Sequence, residues 1–260
     1  MHRPPEDCGA SKDISWLTAR QLDKLSEALT VGIVEKRAII FDEKHSPDSA
    51  YILLAGVARI TCLNRKGQRT LMILVAPGMI PCFPPAVPGI SYNFRCEAVT
   101  VCRTGTIELE SLVEISLGIA SADFKRMASI YLGRWDLVQL RCANFMSCTL
   151  KERLALILLE LSENFGVSDG DGQGVRLTLP TRRKDLAELV GASRPRITEH
   201  LIWFEGKHFI SRDKRQLIVH CHRLQSFLAQ THVNELAIAS DPKGRSRGQS
   251  WRGRRASRGR

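Results

Sequence analysis

Hydrophobic and polar positions divide the chain into stretches with different periods. From about residue 31 to residue 110 the apolar residues fall in short β-rich runs, VGIVEKRAIIF, AYILLAGVARITCL, RTLMILV and EAVTVCRT. The gaps hold turn residues at Glu43–Asp48, Asn64–Gly67 and Pro77–Gly78. Short strands at this spacing predict an antiparallel roll or barrel, with Asn64–Gly67 as a hairpin turn. Before it, Ile14, Trp16, Leu17, Leu22, Leu25 and Leu29 recur at helical intervals and predict one or two short helices.

After the roll the period becomes helical. Between Ala122 and Cys148 there is no proline, and Phe124, Ala128, Tyr131, Trp135, Val138, Cys142 and Phe145 step alternately by four and three, a heptad seam. Met127, Ile130, Leu137 and Leu140 form a second apolar strip. Two apolar faces on one helix call for two partners, so the seam is expected to meet a second copy of the chain while the other strip packs on the roll. Thr149 stands three residues before Glu152 at the start of TLKERLALILLEL, the spacing of a capping box.

Residues 181–210, TRRKDLAELVGASRPRITEHLIWFEGKHFI, carry two helical patterns separated by Gly191 and Ala192. Gly191 supplies the positive φ needed past a helix end, Ser193 is placed to accept a bond from a free N–H of the next helix, and Pro195 falls in that helix's first turn. This is a helix–turn–helix. With Ile197, Leu201 and Phe204 turned inward, the opposite face carries Arg194, Arg196, Thr198, Glu199 and His200, chemistry suited to base edges in a major groove. The competing reading is a solvated basic helix. Residues 166–176, rich in Gly, Asp and Ser, read as a loop, and HFISRDKRQLIVHCH as an alternating wing hairpin turning at Asp213–Arg215. Lys207, Arg212, Lys214 and Arg215 are then phosphate contacts or solvated wing charges.

Composition and charge alter this picture mainly at one end. The formal net charge is +11, and residues 240–260 hold eight basic residues against Asp241 alone. That Gly/Ser/Arg tail cannot bury a core and is expected to be disordered, either gripping phosphates non-specifically or serving solubility. No apolar run reaches membrane-spanning length, and no charged start leads into an apolar stretch, so a cytoplasmic protein is expected. Eight scattered cysteines without a CxxC pair argue against a disulfide framework and for mostly reduced core thiols. Because an alternating strand sends His220 and His222 to the face opposite Cys221, no metal site is expected there. The roll's one imidazole is His45 and its carboxylates are unclustered, so enzymatic function is not expected.

The order of roll, long helix and helix–turn–helix resembles the CRP/FNR superfamily of transcription regulators. The matching stretches are IIFDEKHSPDSAYILLAGVARI with VAPGMI, and TRRKDLAELVGASRPRITEHLIWFEGKHFI, within about residues 30–225. The resemblance implies an α+β fold: an N-terminal antiparallel β-roll (a double-stranded β-helix like a cyclic-nucleotide-binding domain, 1–120), a long dimerisation helix (121–148) and a C-terminal winged helix–turn–helix (149–235), followed by the basic tail (236–260). It further implies a homodimer reading a pseudo-palindromic site in double-stranded DNA under control of a signal in the roll, with RNA polymerase as a further partner. Arg194 and Glu199 match the family's base readers and Arg182 a phosphate contact. Pro195 stands where the commonest pattern has Glu, and Glu199 where it has Arg, which implies a different DNA sequence.

The roll departs from the cyclic-nucleotide pattern. Pro81-Cys82 replace Gly-Glu and Tyr92-Asn93 replace Arg-Ser, and prolines lack the N–H groups of a phosphate cradle. Arg95, Arg134 and Gln139 remain candidate ligand contacts. Cys82 stands near the position of the haem thiolate in carbon-monoxide sensors, without the histidine that follows there, and Cys8 alone is too few ligands for an N-terminal iron–sulfur cluster. Cyclic nucleotide, haem and iron–sulfur cofactors are all disfavoured on these grounds, while thiol redox sensing by Cys82, Cys96 or Cys102 stays open. The alternative function is a ligand-independent DNA-binding dimer whose roll docks a protein partner.

Overall fold

The computed structural model describes residues 18–45, 48–81, 92–117, 138–169, 174–179, 182–214 and 216–231. The first helix, α1 (Ala19–Ala28), opens with a reciprocal box in which Gln21 N donates to Thr18 Oγ1 and Thr18 N donates to Gln21 Oε1 at 2.9 Å. Its Leu25 is 2% exposed and packs with Ile52, Leu54 and Ile107 of the roll and Ile115 of α2 (Leu109–Leu117).

The roll contains β1 (Thr30–Val34), β2 (Ile39–Phe41), β3 (Ser49–Ala55), β4 (Ala58–Leu63), β5 (Arg69–Val75), β6 (Arg95–Ala98) and β7 (Cys102–Glu108). They form two antiparallel sheets, ordered β1-β7-β3 and β2-β6-β4-β5. Between them Phe41, Leu53, Ala58, Val75, Tyr92 and Cys96 are packed out of solvent, with Phe41 and Tyr92 ring centroids 4.6 Å apart. Three of the four runs are each two strands, with a turn inside the run: at Glu35–Arg37 in the first, at Gly56 in the second and at Val99–Val101 in the fourth. Gly56 turns β3 into β4 at φ +88°, and a Cβ there would lie 2.4 Å from the Val101 carbonyl oxygen, so only glycine fits. The Asn64–Gly67 hairpin forms as expected between β4 and β5: Asn64 Oδ1 accepts from Lys66 N and Gln68 N.

A helix over 138–147 (α3) leads into α4 (Leu150–Phe165), whose box closes with Thr149 N donating to Glu152 Oε2 at 2.6 Å. Then come β8 (Gly166–Ser168), β9 (Val175–Leu177), α5 (Arg183–Val190), α6 (Arg194–Gly206), β10 (Ile210–Asp213), β11 (Gln216–Val219) and α7 (Cys221–Gln230). The small sheet has the order β10-β11-β9-β8. The 166–176 stretch is therefore a hairpin rather than a plain loop: Arg176 on β9 pairs with Asp169 and with Asp213 of β10, tying both hairpins together. The expected strand across His220–His222 is corrected. Strand β11 ends at Val219 and α7 starts at Cys221, where helical apolar spacing puts Leu224 and Leu228 at 0% and 1% exposure.

One edge of the roll packs into the core of the helical domain, apart from the roll's own clusters. Leu71, Leu74 and Ala76, on and just after β5, lie in the same cluster as Leu154, Leu158, Leu186, Val190 and Phe204. Strand β5 is an edge strand, and its Leu71 N–H donates to Glu188 Oε2 of α5 at 2.9 Å, so the helical domain closes that edge. Arg141 of α3 adds a second tie, donating to the Met72 carbonyl at 2.8 Å and to the Glu160 carboxylate.

Candidate nucleic-acid interface

Helix α5 ends as its sequence dictates. Gly191 adopts φ +66°, its N–H closes on Glu188 O, and Ala192 N donates to Ala187 O at 2.8 Å. A Cβ on Gly191 would meet the Phe145 ring at 2.8 Å, so this turn also receives the end of α3. Helix α6 then begins with Ser193 as N-cap and Pro195 in its first turn. The Ser193 side chain forms no capping bond, contrary to expectation, and its exposed hydroxyl is left to solvent or another molecule.

The two faces of α6 separate cleanly. Ile197, Leu201 and Phe204 are 0%, 3% and 0% exposed, each such burial contributing about 1.5–3 kcal/mol. Phe204 meets Trp203, Phe209 and Phe227, and Lys151 lies 3.9 Å over the Trp203 ring. On the other side Arg194, Arg196 and Glu199 are exposed, and among the described residues neither arginine enters an ion pair. Thr198 is half-buried and donates its hydroxyl to Arg194 O at 3.0 Å. His200 is half-buried and sits at the margin of this face. Burial lowers its pKa first, opposed by Glu199 and reinforced by Lys151 and Arg196, so the imidazole is neutral near pH 7. Ile202, 62% exposed, was not anticipated; it follows inward Leu201 by one 100° step, which is the signal that reveals it.

Arg182 is the N-cap of α5, without a side-chain cap bond, and opens on a cleft against the roll. In the wing, Arg212 pairs with Glu205 and is thereby committed within the domain, while Lys207 and Lys214 are exposed, Lys214 at φ +54° on the tip. Arg215 lies outside the described residues.

The ligand and seam candidates fare unevenly. Arg95 donates to Asp42 at 3.1 Å, and Asp42, 5% exposed, also meets His45 Nδ1 at 2.9 Å. The bond with His45, then that from Lys44 N–H, hold the Asp42 carboxyl below the usual carboxylate range. Gln139 is exposed on α3; Cys82 and Arg134 lie outside the described residues. Of the seam, Val138, Cys142 and Phe145 are exposed along α3, whereas Phe124, Ala128, Tyr131 and Trp135 lie outside the described residues. The cysteines are less buried than expected. Cys96 and Cys102 are core thiols, and burial pushes the Cys102 thiol up, but Cys62, Cys148 and Cys221 are half-buried and Cys142 is exposed. Among the described residues no group of His, Cys, Asp or Glu is arranged to hold a metal ion, and no helix is long and apolar enough to cross a membrane.

A capped turn joining two helices, with an apolar inner face and an arginine-bearing outer face on the second, defines the class: a helix–turn–helix DNA-binding domain carried with a β-roll. Comparison with known proteins agrees. Residues 152–227 match the Crp-like helix-turn-helix domain family. Over 197 residues the chain is 22% identical to the nitrogen fixation regulation protein FixK of Azorhizobium caulinodans, covering 75% of this chain and 76% of that protein. It is 22% identical over 184 residues to the CRP-like cAMP-activated global transcriptional regulator of Mycobacterium tuberculosis, covering 69% and 79%. FixK2 from Bradyrhizobium japonicum shares the fold with a TM-score of 0.64 at 20% identity, covering 76% of this chain and 96% of that one. A CooA mutant from Carboxydothermus hydrogenoformans gives 0.62 at 15% identity, covering 77% and 88%. Residues 152–227 thus carry a Crp-like helix-turn-helix domain, and the chain as a whole is similar to DNA-binding transcription regulators of the CRP/FNR type.

Proposed function

We propose that the protein is a homodimer that reads an inverted-repeat DNA site through α6. Arg194, Arg196 and Glu199 act as base readers, Thr198 and His200 border them, and Ser193 with Arg182 contacts the backbone. The observation that carries this reading is the division of α6 between a fully buried Ile197/Leu201/Phe204 face and an exposed face whose arginines are uncommitted. Arginine donates two parallel bonds to guanine O6 and N7, and Glu199 accepts from cytosine N4. Exposed Ile202 extends the face with an apolar group suited to a thymine methyl. Dimerisation through the seam is supported by the exposed Val138 and Cys142, while Phe145 packs on the Gly191 turn, and two copies related by a two-fold axis place two reading helices about one DNA turn apart.

A signal in the roll can bias the protein only by differential affinity for two arrangements of the reading helices. The engagement of Arg95 by buried Asp42 favours the second reading, a dimer that binds DNA without a small ligand and uses the roll to dock a protein such as RNA polymerase. Selection from a random duplex pool, combined with sedimentation of the complex, tests the proposal. An inverted-repeat consensus bound by two chains is expected; an asymmetric consensus bound by one chain would overturn it. Melting of the protein with cyclic nucleotides separates the two readings, because a ligand preferring the native state must raise the melting temperature.

A further inference from the structure

The roll and α5 enclose a cleft of about 80 Å³ whose charged lining comes from Lys36, Arg37, Arg59 and Glu97 of the roll and Arg182 and Asp185 of the helix–turn–helix. Four cations thus face two carboxylates. Glu97 is held by Arg59 Nη2 at 2.6 Å, and burial raises the Asp185 pKa against the opposing pull of Arg182 and Arg59, so the two carboxylates balance at most two of the four cations and positive charge is left in excess. Arg59 Nε is buried without a hydrogen-bond partner, a donor whose desolvation nothing repays. Arg37 holds φ +74° in the turn between β1 and β2, fixed by its N–H to Ala98 O at 2.8 Å, a conformation in which an arginine is strained and which such sites retain for function. Helix α5 enters the cleft with no side-chain cap.

We infer that this cleft binds a tetrahedral oxyanion of phosphate type and thereby joins the roll to the helix–turn–helix. That volume is far below the roughly 300–1,000 Å³ of a pocket for a nucleotide-sized molecule, which suits the cleft to an isolated phosphate group. Guanidinium groups arriving from two domains suit an anion with four acceptor oxygens better than a planar carboxylate. The phosphate is either a free ion or one belonging to a DNA backbone, since Arg182 stands at the start of the helix–turn–helix.

The test is thermal melting of the full-length protein in inorganic phosphate against chloride at equal ionic strength. Phosphate should raise the melting temperature saturably at millimolar concentration, distinct from the continuing rise that a kosmotropic salt gives any protein. Arg59→Gln should abolish the saturable part. Because that change strands Glu97, the exposed-turn variant Lys36→Gln/Arg37→Gln is the second probe, and it should weaken half-saturation by roughly tenfold. Equal melting in the two salts, or a saturable phosphate effect that both variants keep, overturns the inference. A random-sequence 30-base-pair duplex then identifies the source. If DNA supplies the group, phosphate competes with the duplex and Lys36→Gln/Arg37→Gln lowers the salt slope; if the ion is free, the slope matches that of the parent protein. Melting is read without DNA, so failure here leaves base reading by α6 standing, and failure of base reading leaves this site standing.

Discussion

The roll and the helix–turn–helix both carry arginines next to acidic residues, yet they use them in opposite ways. In the roll, Arg69 and Arg95 are each engaged by a carboxylate, at 2.9 and 3.1 Å, and their charge is spent within the sheet. On α6, Arg194 and Arg196 project from a helix whose opposite face is closed by aromatic packing, and their charge remains available. An arginine bound to its own fold stabilises; one held away from it is free to recognise another molecule. Position in the tertiary structure, not residue type, assigns the role.

The comparison can be broken most severely from beneath the reading face. Phe204→Ala removes the 0%-exposed ring at the centre of the Trp203, Phe209 and Phe227 cluster and should cost about 3–5 kcal/mol of domain stability, measured by urea unfolding. A loss under about 1 kcal/mol would mean that α6 is not anchored as described.

A paired substitution sharpens it. Arg194→Ala should leave the melting temperature unchanged while lowering affinity for the selected site by about 1–3 kcal/mol and relaxing one base position. Arg95→Ala should do the reverse, costing about 1–3 kcal/mol of stability by depriving Asp42 of a partner, with little change in DNA affinity. Fluorescence anisotropy and calorimetry on both variants decide whether the division holds, and equal losses on selected and random DNA for Arg194→Ala would remove it from the readers.

The smallest effect is one of pH. The Asp42 carboxyl is held below its unfolded value near 3.9, so its contribution is complete above about pH 4 and is lost as acid takes the solution down through the folded value. Asp42→Asn should therefore flatten the fall in stability from pH 5 to pH 3 followed by circular dichroism. An unchanged slope would show that the Asp42–His45–Arg95 group does not govern acid unfolding of the roll.

The local patterns of the sequence carried a large share of this structure. The four-and-three spacing of Ile197, Leu201 and Phe204, the glycine at 191, the Thr149–Glu152 box and the Asn64–Gly67 turn each report a short-range interaction, and each forms where its residues stand. Such features depend on contacts within about four residues, which a linear pattern records. Misreadings arose where a local rule met a tertiary one. The turn inside AYILLAGVARITCL was hidden because buried strands on either side of Gly56 keep an apolar run going across the bend, whereas the one in VGIVEKRAIIF lies at the charged Glu35–Arg37. The alternation of Val219, Cys221 and neighbouring histidines looked like strand, although the packing of Leu224 and Leu228 draws the chain into a helix from Cys221.

By itself, then, the sequence determined the class of fold, the position of α6 and which of its residues face outward, because periodicity specifies a face once the element is known. Only the tertiary structure decided the rest: that Arg95 turns to Asp42, that Glu188 closes the edge of β5, and that Lys36, Arg37 and Arg59 meet Arg182 and Asp185 across more than a hundred residues of chain. Those partners are set by how two domains pack, and packing joins positions whose separation in sequence carries no period to read.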